Sequence, residues 1–201
     1  MKCTGKHRIR ISRILYGIYI QLFIFTEKKL ETTLPLATGI MFMTGLFLVG
    51  VATVGRLWCA QYIAGYKAGS LITVGPYSIC RNPLYFFSLL GGIGVGLCTG
   101  SLVLALIVPA VFAVIYPITI FQEEKELLEI HGETYRNYIS SVPCFIPNRS
   151  LYYAPSEYLV QTKMFLRESR DVLGFVLIVG IFKMVEALAK IGVIKPFFAI
   201  L

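Results

Sequence analysis

The chain has 201 residues, of which 56% are hydrophobic, and its formal net charge is +8. This apolar share exceeds that of ordinary soluble domains, and its long apolar runs predict one integral membrane domain, residues 1–201. The basic residues lie between the apolar runs and are not interleaved with aromatic residues, which argues against nucleic-acid binding and for loops beside anionic lipid. The five cysteines are scattered without metal-ligand spacing, so neither a metal site nor a disulfide framework is predicted.

Five apolar runs, taken in chain order, predict an all-α, polytopic membrane protein. The first run follows a basic N-terminus, but no small-residue cleavage site comes after it. A transmembrane helix is therefore predicted there rather than a signal peptide. The third and fourth runs are joined by a tight turn and form a helical hairpin. The predicted helices are residues 9–26, 34–58, 83–100, 101–121 and 172–188, with a polar turn at residues 27–33.

Local signals indicate how the third helix begins and packs. Asn82 is in the position of an N-cap and Pro83 in that of the first helical residue. Inside the helix, Gly92, Gly96 and Gly100 recur at four-residue intervals, which predicts close packing against another helix. The glycines of this run do not have the spacing of a dinucleotide-binding loop.

The distribution of Lys and Arg predicts the topology. With the N-terminus in the cytosol, the cytosolic segments would be residues 1–13, 56–82 and 123–170, which hold 14 of the 19 Lys and Arg residues. This arrangement obeys the positive-inside rule. The hairpin returns the chain to the membrane face that it left, so the polar clusters at residues 69–85 and 122–138 are predicted to share the cytosolic side.

These two clusters contain polar groups suited to a charged ligand. Arg81 can pair with a carboxylate, and the free backbone N–H groups at the start of the third helix favour an anion. Glu123 and Glu124 can accept hydrogen bonds from hydroxyl groups or an ammonium group. A ligand with a carboxylate, an ammonium and a ribose would satisfy this set. The pattern equally allows that Arg81 pairs with one of these glutamates and that Asn82 only caps a helix.

An ordered set of short motifs runs through the middle of the chain. They are Gly75-Pro-Tyr77, Arg81-Asn-Pro-Leu-Tyr85, Glu123-Glu124, His131-Gly-Glu-x-Tyr135-x-x-Tyr138 and Val142-Pro143. This set resembles the isoprenylcysteine carboxyl methyltransferase family, whose pattern is a Gly-x-Tyr, an Arg-His-Pro-x-Tyr and a pair of glutamates one helical hairpin later. The likeness covers roughly residues 67–147, and the catalytic core is placed at about residues 61–147. In length the chain is similar to the compact prokaryotic members.

The resemblance implies a membrane-embedded methyltransferase that uses S-adenosylmethionine. Its cofactor would lie in a cytosol-facing pocket, and a lipid-like substrate would enter sideways from the bilayer. The implied catalytic residues are Arg81, which orders the pocket or the substrate, and Glu124. No metal is needed, because the sulfonium methyl group is already activated and its transfer depends on positioning and desolvation. The residues implied to bind the cofactor are Gly69, Ser70, Leu71, Ile72, Tyr77, Asn82, Pro83, Leu84, Tyr85 and Glu123.

The chain departs from the family pattern at two positions. Asn82 stands in place of the motif histidine; it keeps hydrogen-bonding capacity but cannot act as a base. Thr119 stands where the eukaryotic enzymes have an arginine for the substrate carboxylate. The methyl acceptor therefore stays open between a lipidated carboxylate, methylated on oxygen, and a phospholipid amine, methylated on nitrogen.

Two other functions compete with methyl transfer. NADPH-dependent membrane sterol or enone reductases resemble the same hairpin, but they usually carry an Arg-Asp-type acidic segment and a Lys-Tyr-Gly-x-x-Trp motif. This chain has Glu123-Glu124 and His131-Gly-Glu-Thr-Tyr135 there, and its single tryptophan is Trp58. The other alternative is a membrane scaffold that kept the fold and lost activity, which the substitution at Asn82 leaves open.

Overall fold

The computed structural model of the chain describes residues 17, 19, 21–23, 26–28, 30, 33–66, 70–193 and 198–200. In this part of the chain seven α-helices follow one another, and a 3₁₀ turn at Arg149–Leu151 lies between the fifth and the sixth. The prediction of an all-α protein is confirmed there, apart from one short strand pair. The helices are α1 (Pro35–Ile63), α2 (Pro76–Ile79), α3 (Pro83–Cys98), α4 (Leu102–His131), α5 (Glu133–Ser141), α6 (Thr162–Val172) and α7 (Gly174–Lys190).

The strand pair joins segments near the two ends of the chain. β1 (Thr26–Lys28) pairs in parallel with β2 (Phe198–Ile200), so part of the predicted polar turn at residues 27–33 is extended backbone. A three-residue strand is too short to carry an alternating hydrophobic pattern, which is why local sequence did not indicate it. Most of the predicted first helix, residues 9–26, lies outside the described residues, although positions 17, 19 and 21–23 have helical backbone.

Three helical segments among the described residues are long and apolar enough to cross a membrane. They are Pro35–Ile63, Leu102–His131 and Thr162–Lys190, the last formed by α6 and α7 together. α3 has 16 residues. That length gives about 24 Å of helix against a hydrocarbon thickness of about 30 Å. α3 is shorter than predicted because the turn to α4 already begins at residue 99. The protein is thus a helical membrane protein, and the count of five spans stays a prediction.

Small residues let α1 and α3 approach each other closely. A Cβ atom on Gly45 of α1 would lie 2.6 Å from the Gly94 carbonyl oxygen, and a Cβ atom on Gly94 would lie 2.6 Å from the Gly45 carbonyl oxygen. Gly91 of α3 faces Ala52 of α1 in the same interface. Backbone-to-backbone contact of this kind supplies the van der Waals packing that holds membrane helices together.

The glycines of the predicted four-residue repeat lie partly in α3 and partly in the turn that follows it. Gly92 and Gly96 face α4, whereas Gly100 lies beyond α3, in the turn to α4, with a φ of +72°. The closest approach to α1 uses Gly91 and Gly94, which are not on the repeat. The repeat therefore supports the hairpin of α3 and α4, and the sequence pattern did not show the tighter interface on the other side of α3.

α4 carries the chain from the hairpin turn back to the level at which α3 begins. The helix runs without interruption through Pro109 and Pro117. Gly132, with a φ of +54°, ends α4 and begins α5. The length of α4 brings Glu123 to Tyr85 in the first turn of α3. The hairpin thus places the two polar clusters side by side.

Candidate functional site

A two-point ion pair joins Arg81, two residues before α3, to the last turns of α4. Arg81 Nε donates to Glu124 Oε1 at 3.0 Å, and Arg81 Nη2 donates to Glu124 Oε2 at 3.3 Å. Both side chains are largely buried, with 11% and 18% of their surface exposed. This side-on geometry matches the guanidinium fork to both carboxylate oxygens. The predicted juxtaposition of the two clusters is confirmed. Of the two glutamates, Glu124 is the one that forms the ion pair with Arg81.

The other donors of Arg81 hold the end of α5 and the segment that follows it. Arg81 Nη1 donates to the carbonyl oxygens of Ile139 at 2.8 Å and Val142 at 3.0 Å, and the Arg81 backbone N–H donates to the Pro143 carbonyl oxygen at 2.9 Å. Burial lowers the pKa of Arg81, but the hydrogen bond and the charge of Glu124 outweigh this effect and raise that pKa above its usual value. Arg81 is therefore a permanent cation that braces three parts of the chain.

Asn82 occupies the N-cap position of α3, but its side chain does not cap the helix. Asn82 Nδ2 donates instead to Glu124 Oε1 at 2.9 Å and to the Cys144 carbonyl oxygen at 3.2 Å. The predicted cap is therefore wrong for the side chain, whose amide is turned so that Nδ2 reaches a carboxylate and a carbonyl. A neutral histidine has one ring N–H donor, whereas the Asn amide has two, so Asn82 serves both acceptors.

The Glu123 carboxylate has a different hydrogen-bond partner from that of its neighbour Glu124. The Tyr85 hydroxyl donates to Glu123 Oε1 at 2.7 Å. The Tyr85 ring stands edge-on to Tyr116, with 5.0 Å between the ring centroids, and Tyr116 stacks on Phe112 at 3.7 Å. These aromatic contacts orient the Tyr85 hydroxyl, so the Glu123 carboxylate is held beside the first turn of α3.

The Gly75-Pro-Tyr77 motif forms a tight, buried turn. Gly75 has a φ of +61°, and a Cβ atom at this position would lie 2.5 Å from the Tyr62 ring, so both conformation and space require glycine. The Tyr77 carbonyl oxygen accepts a hydrogen bond from the Tyr138 hydroxyl at 2.6 Å, which ties α5 to α2. The Tyr77 hydroxyl is buried and has no hydrogen-bond partner in the described part of the chain. An unsatisfied buried hydroxyl costs about 1–3 kcal/mol, which calls for a functional reason.

A groove of about 590 Å³ opens beside this turn. Its lining combines aromatic ring faces with a hydroxyl group and a carboxylate. The Tyr158 hydroxyl donates to the Tyr62 carbonyl oxygen at 2.7 Å, which fixes the loop before α6 against the end of α1. The volume of the groove falls within the range of small-ligand sites. The lining residues are Tyr66, Ser70, Ile72, Glu157, Tyr158 and Leu159.

The predicted cofactor residues occupy three different settings. Ser70 and Ile72 line the groove, whereas Leu71 packs against the buried Tyr135 and Tyr138 rings. Ser70 and Ile72 thus face the groove, and Leu71 between them faces the other side of this non-helical segment. Tyr77, Asn82, Tyr85 and Glu123 lie around the start of α3, where Pro83 and Leu84 are packed. Gly69 lies outside the described residues.

Sequence reasoning missed three residues of this region: Cys144, Glu157 and Tyr158. Cys144 Sγ lies 3.6 Å from Glu124 Oε1, and burial, followed by the charge of Glu124, raises the pKa of its thiol. Cys144 directly follows the Val142-Pro143 motif, which was a usable signal. Glu157 and Tyr158 belong to no motif, and only the fold brings them to the groove.

Comparison with known proteins identifies the family. The sequence model of the phospholipid methyltransferase family matches residues 35–134, which contain α1 to α4 and with them Arg81, Asn82, Glu123 and Glu124. The chain is 37% identical to the nickel-cobalt-cadmium resistance protein NccN of Alcaligenes xylosoxydans xylosoxydans. The alignment spans 170 residues, which are 85% of this chain and 78% of that protein. The chain belongs to the phospholipid methyltransferase family.

A second similar protein is the cobalt-zinc-cadmium resistance protein CzcN of Cupriavidus metallidurans. It is 36% identical over 170 residues, which is 85% of this chain and 77% of that protein. No solved structure matches the chain. Membership of the phospholipid methyltransferase family confirms the resemblance that the ordered motifs carried, and it makes the chain a membrane methyltransferase by family.

Proposed function

We propose that the protein is an integral membrane methyltransferase that uses S-adenosylmethionine and acts on a lipid-like substrate. The observation that carries the proposal is the closure of Arg81 and Asn82 on Glu124, which fixes the start of α3 beside Glu123 and Tyr85. Family membership supports the reaction class. The long apolar helices support a substrate that enters from the bilayer. The distribution of Lys and Arg supports a cytosolic site.

The residues around the groove fit the chemical groups of S-adenosylmethionine. Tyr66 and Tyr158 offer ring faces for an adenine, and Ser70 and Glu157 offer hydrogen-bonding groups for a ribose. The buried Tyr77 hydroxyl, which lacks a partner among the described residues, offers a further donor. When bound, the cofactor supplies a methyl group that is already activated as a sulfonium. The task of the chain is therefore to bind, to orient and to exclude water.

The two clusters divide this task in our proposal. Glu123, held by Tyr85, is the acidic contact to the cofactor. Arg81 uses its Nε, Nη1 and Nη2 atoms on the protein itself, so it orders the pocket and does not touch the substrate. Glu124 has the same positioning role, because it is the common acceptor for Arg81 and Asn82. The predicted contacts of Gly69, Leu71, Pro83 and Leu84 with the cofactor remain part of the proposal.

The methyl acceptor has two candidates in this proposal. A carboxylate acceptor needs no general base, whereas an amine acceptor has to be neutral when it attacks. Thr119 is buried and its hydroxyl donates to the Ile115 carbonyl oxygen at 3.1 Å, so this position of α4 presents no cation to a carboxylate. The family description favours a phospholipid amine, and the motif resemblance favours the carboxylate of a lipidated cysteine.

Replacing Glu123 with Gln is expected to weaken the binding of S-adenosylhomocysteine, the demethylated cofactor. Hydrogen bonds to charged groups contribute about 1.5–3 kcal/mol, so the dissociation constant should rise roughly 10-fold to 100-fold. Isothermal calorimetry on the full chain in detergent measures this change. Glu126→Gln is the matched control, because Glu126 lies on the exposed side of the same helix and its replacement should leave binding unchanged.

NADPH titrated under the same conditions separates the reductase alternative. Saturable binding of NADPH without any binding of S-adenosylhomocysteine would overturn the proposed function. Binding of neither compound would identify an inactive scaffold.

The names of the two relatives point to a physiological setting, resistance to heavy metals. Within the described ranges, no three His, Cys, Asp or Glu side chains are grouped so as to hold a metal ion. We propose that this chain contributes to metal tolerance through the product of its methyl transfer. In a host strain that lacks it, the wild-type gene should restore growth on cadmium or cobalt, and Glu123→Gln should not. Equal rescue by both would separate tolerance from catalysis.

A further inference from the structure

Arg56 is a charged residue inside a helix that is long enough to span the membrane. It lies about two turns before the end of α1 at Ile63. Its Nη1 atom donates to Ser88 Oγ of α3, and its guanidinium lies over the Phe175 ring of α7, with 5.7 Å from Cζ to the ring centroid. None of the ion pairs among the described residues involves Arg56. The guanidinium is therefore placed where three helices meet, and no described carboxylate neutralises it.

One edge of the Arg56 guanidinium, here called the open edge, has no hydrogen-bond partner among the described residues. Its Nε atom is buried and has no hydrogen-bond partner, and among the described residues no group accepts from Nη2. Nε and Nη2 form the same edge with which Arg81 holds both oxygens of Glu124. The protein thus contains a direct example of what this edge binds, which is a pair of oxygens that share a negative charge.

The contacts that Arg56 makes do not offset the cost of its position. One neutral hydrogen bond contributes about 0.5–1.5 kcal/mol and a cation–π contact about 0.5–2 kcal/mol. Arg56 is partly buried, and an ion withdrawn from water without a counter-charge carries a desolvation cost. Ionisable residues within membrane helices are for this reason normally paired or part of a ligand path. The balance calls for an anion that the described chain does not itself supply.

A second unsatisfied donor lies near Arg56. The Tyr77 hydroxyl is buried without a partner in the described structure. Tyr77 belongs to a buried cluster that packs against Phe87 of α3, the neighbour in sequence of the Ser88 that binds Arg56. Ser88, which binds Arg56, donates to the Leu84 carbonyl oxygen at 2.6 Å, one turn back toward the start of α3. Arg56 is therefore linked through Ser88 to the first turn of α3, which holds predicted cofactor residues.

The position of Arg56 along α1 indicates the source of the anion. Trp58 and Tyr62 follow it within two turns, and Trp and Tyr residues concentrate at the headgroup level of a bilayer. We propose that the open edge of Arg56 binds the oxyanion of a membrane amphiphile, a carboxylate or a phosphate. The inference rests on the proposed function in taking this amphiphile as the methyl acceptor. In this proposal Arg56 of α1 binds the anionic group of the substrate, because α4 has Thr119 where related eukaryotic enzymes have an arginine for that purpose.

The single tryptophan of the chain, Trp58, lies two residues from Arg56 and reports on this site. The full chain in dodecyl maltoside is titrated with dodecyl phosphate, dodecanoate and dodecyltrimethylammonium while Trp58 emission is followed. At least one of the two anionic probes should give a saturable change, and the cationic probe should not. The anionic probe that binds more tightly identifies the acceptor class. Sodium phosphate alone should have no effect, and an equal response to it would overturn the assignment to an amphiphile.

Two substitutions separate a binding role of Arg56 from a structural one. Arg56→Gln should raise the half-saturating concentration of the anionic probe at least tenfold. Arg56→Lys keeps the charge, and hence the fold, but loses the two-point edge, so it should weaken binding several-fold. Arg167→Gln, on the exposed surface of α6, removes one charge elsewhere and should leave binding unchanged. Wild-type binding in both Arg56 variants would overturn the inference.

Calorimetry with S-adenosylhomocysteine on the same samples distinguishes this inference from the proposed function. Arg56→Gln should retain cofactor binding while it loses the anionic probe. If the wild type binds no S-adenosylhomocysteine, the proposed function fails whatever the amphiphile result. If it binds S-adenosylhomocysteine but its response to the anionic probe does not depend on Arg56, only the inference on Arg56 fails.

Discussion

Replacing Glu124 with Ala is expected to lower the free energy of unfolding of the detergent-solubilised protein by about 3–5 kcal/mol. The substitution removes both oxygens that Arg81 holds and leaves a buried, permanently charged guanidinium without its counter-ion. It also removes an acceptor of the Asn82 amide. Denaturant unfolding followed by Trp58 fluorescence measures the loss. The brace between α3, α4 and the segment after α5 depends on this one carboxylate.

An exposed ion pair in the same protein provides the matched control. Glu133 Oε1 accepts a hydrogen bond from Arg136 Nη1 at 2.7 Å, but the two side chains are 76% and 65% exposed. Exposed pairs of this kind contribute only about 0.2–1 kcal/mol, so Glu133→Ala should have a small effect. An equally small loss in Glu124→Ala would contradict the brace.

A double substitution separates the structural role of the pair from its role in the site. Arg81→Met combined with Glu124→Leu replaces a buried ion pair with apolar side chains and should recover much of the stability that Glu124→Ala loses. It should not recover the binding of S-adenosylhomocysteine, because the start of α3 is no longer ordered against α4 by a directional contact. Recovery of both properties would show that the pair only fills space.

Replacing Gly45 with Ala is expected to disrupt the contact between α1 and α3. The new Cβ atom would lie 2.6 Å from the Gly94 carbonyl oxygen and 2.9 Å from the Cys98 backbone nitrogen, so backbone atoms would have to move. Overpacking of this kind costs about 1–3 kcal/mol. The free energy of unfolding in detergent should fall by this amount, and the response of Trp58 to the anionic probes should weaken, since α1 carries Arg56.

Gly50→Ala on the same helix is the control for Gly45→Ala. No heavy atom lies within 4 Å of a Cβ atom built on Gly50. Ala is the better helix former by about 1 kcal/mol, so Gly50→Ala should leave stability unchanged or raise it. Equal unfolding free energies for the two Ala variants would show that the α1–α3 contact tolerates a wider spacing.

The membrane class, the hairpin and the ordered motifs could be predicted from sequence, because each depends on local properties. Apolar runs report which segments avoid water, and Pro83 and Gly132 mark where helices begin and end. The hairpin needed only two helices of similar length and a short turn between them. The clusters that contain Tyr85 and Glu123 were therefore expected at the same end of the hairpin, and the structure joins these two residues by a hydrogen bond.

Helix faces were less predictable, as the glycines of α3 show. A four-residue repeat pointed to Gly92 and Gly96 as the packing face, and these two residues do face α4. The closer contact with α1 uses Gly91 and Gly94. In a helix that is apolar all round, hydropathy does not distinguish one face from another, so the neighbours decide which small residues are needed.

Local sequence was enough to establish a helical membrane protein with two polar clusters on one side of a hairpin, because hydropathy and turn residues act over a few positions. Only the tertiary structure decided which group meets which. Glu123 and Glu124 are adjacent in sequence but point about 100° apart around a helix, so one meets Tyr85 and the other Arg81. The open edge of Arg56 likewise depends on where α3 and α7 pack, which no pattern within α1 encodes.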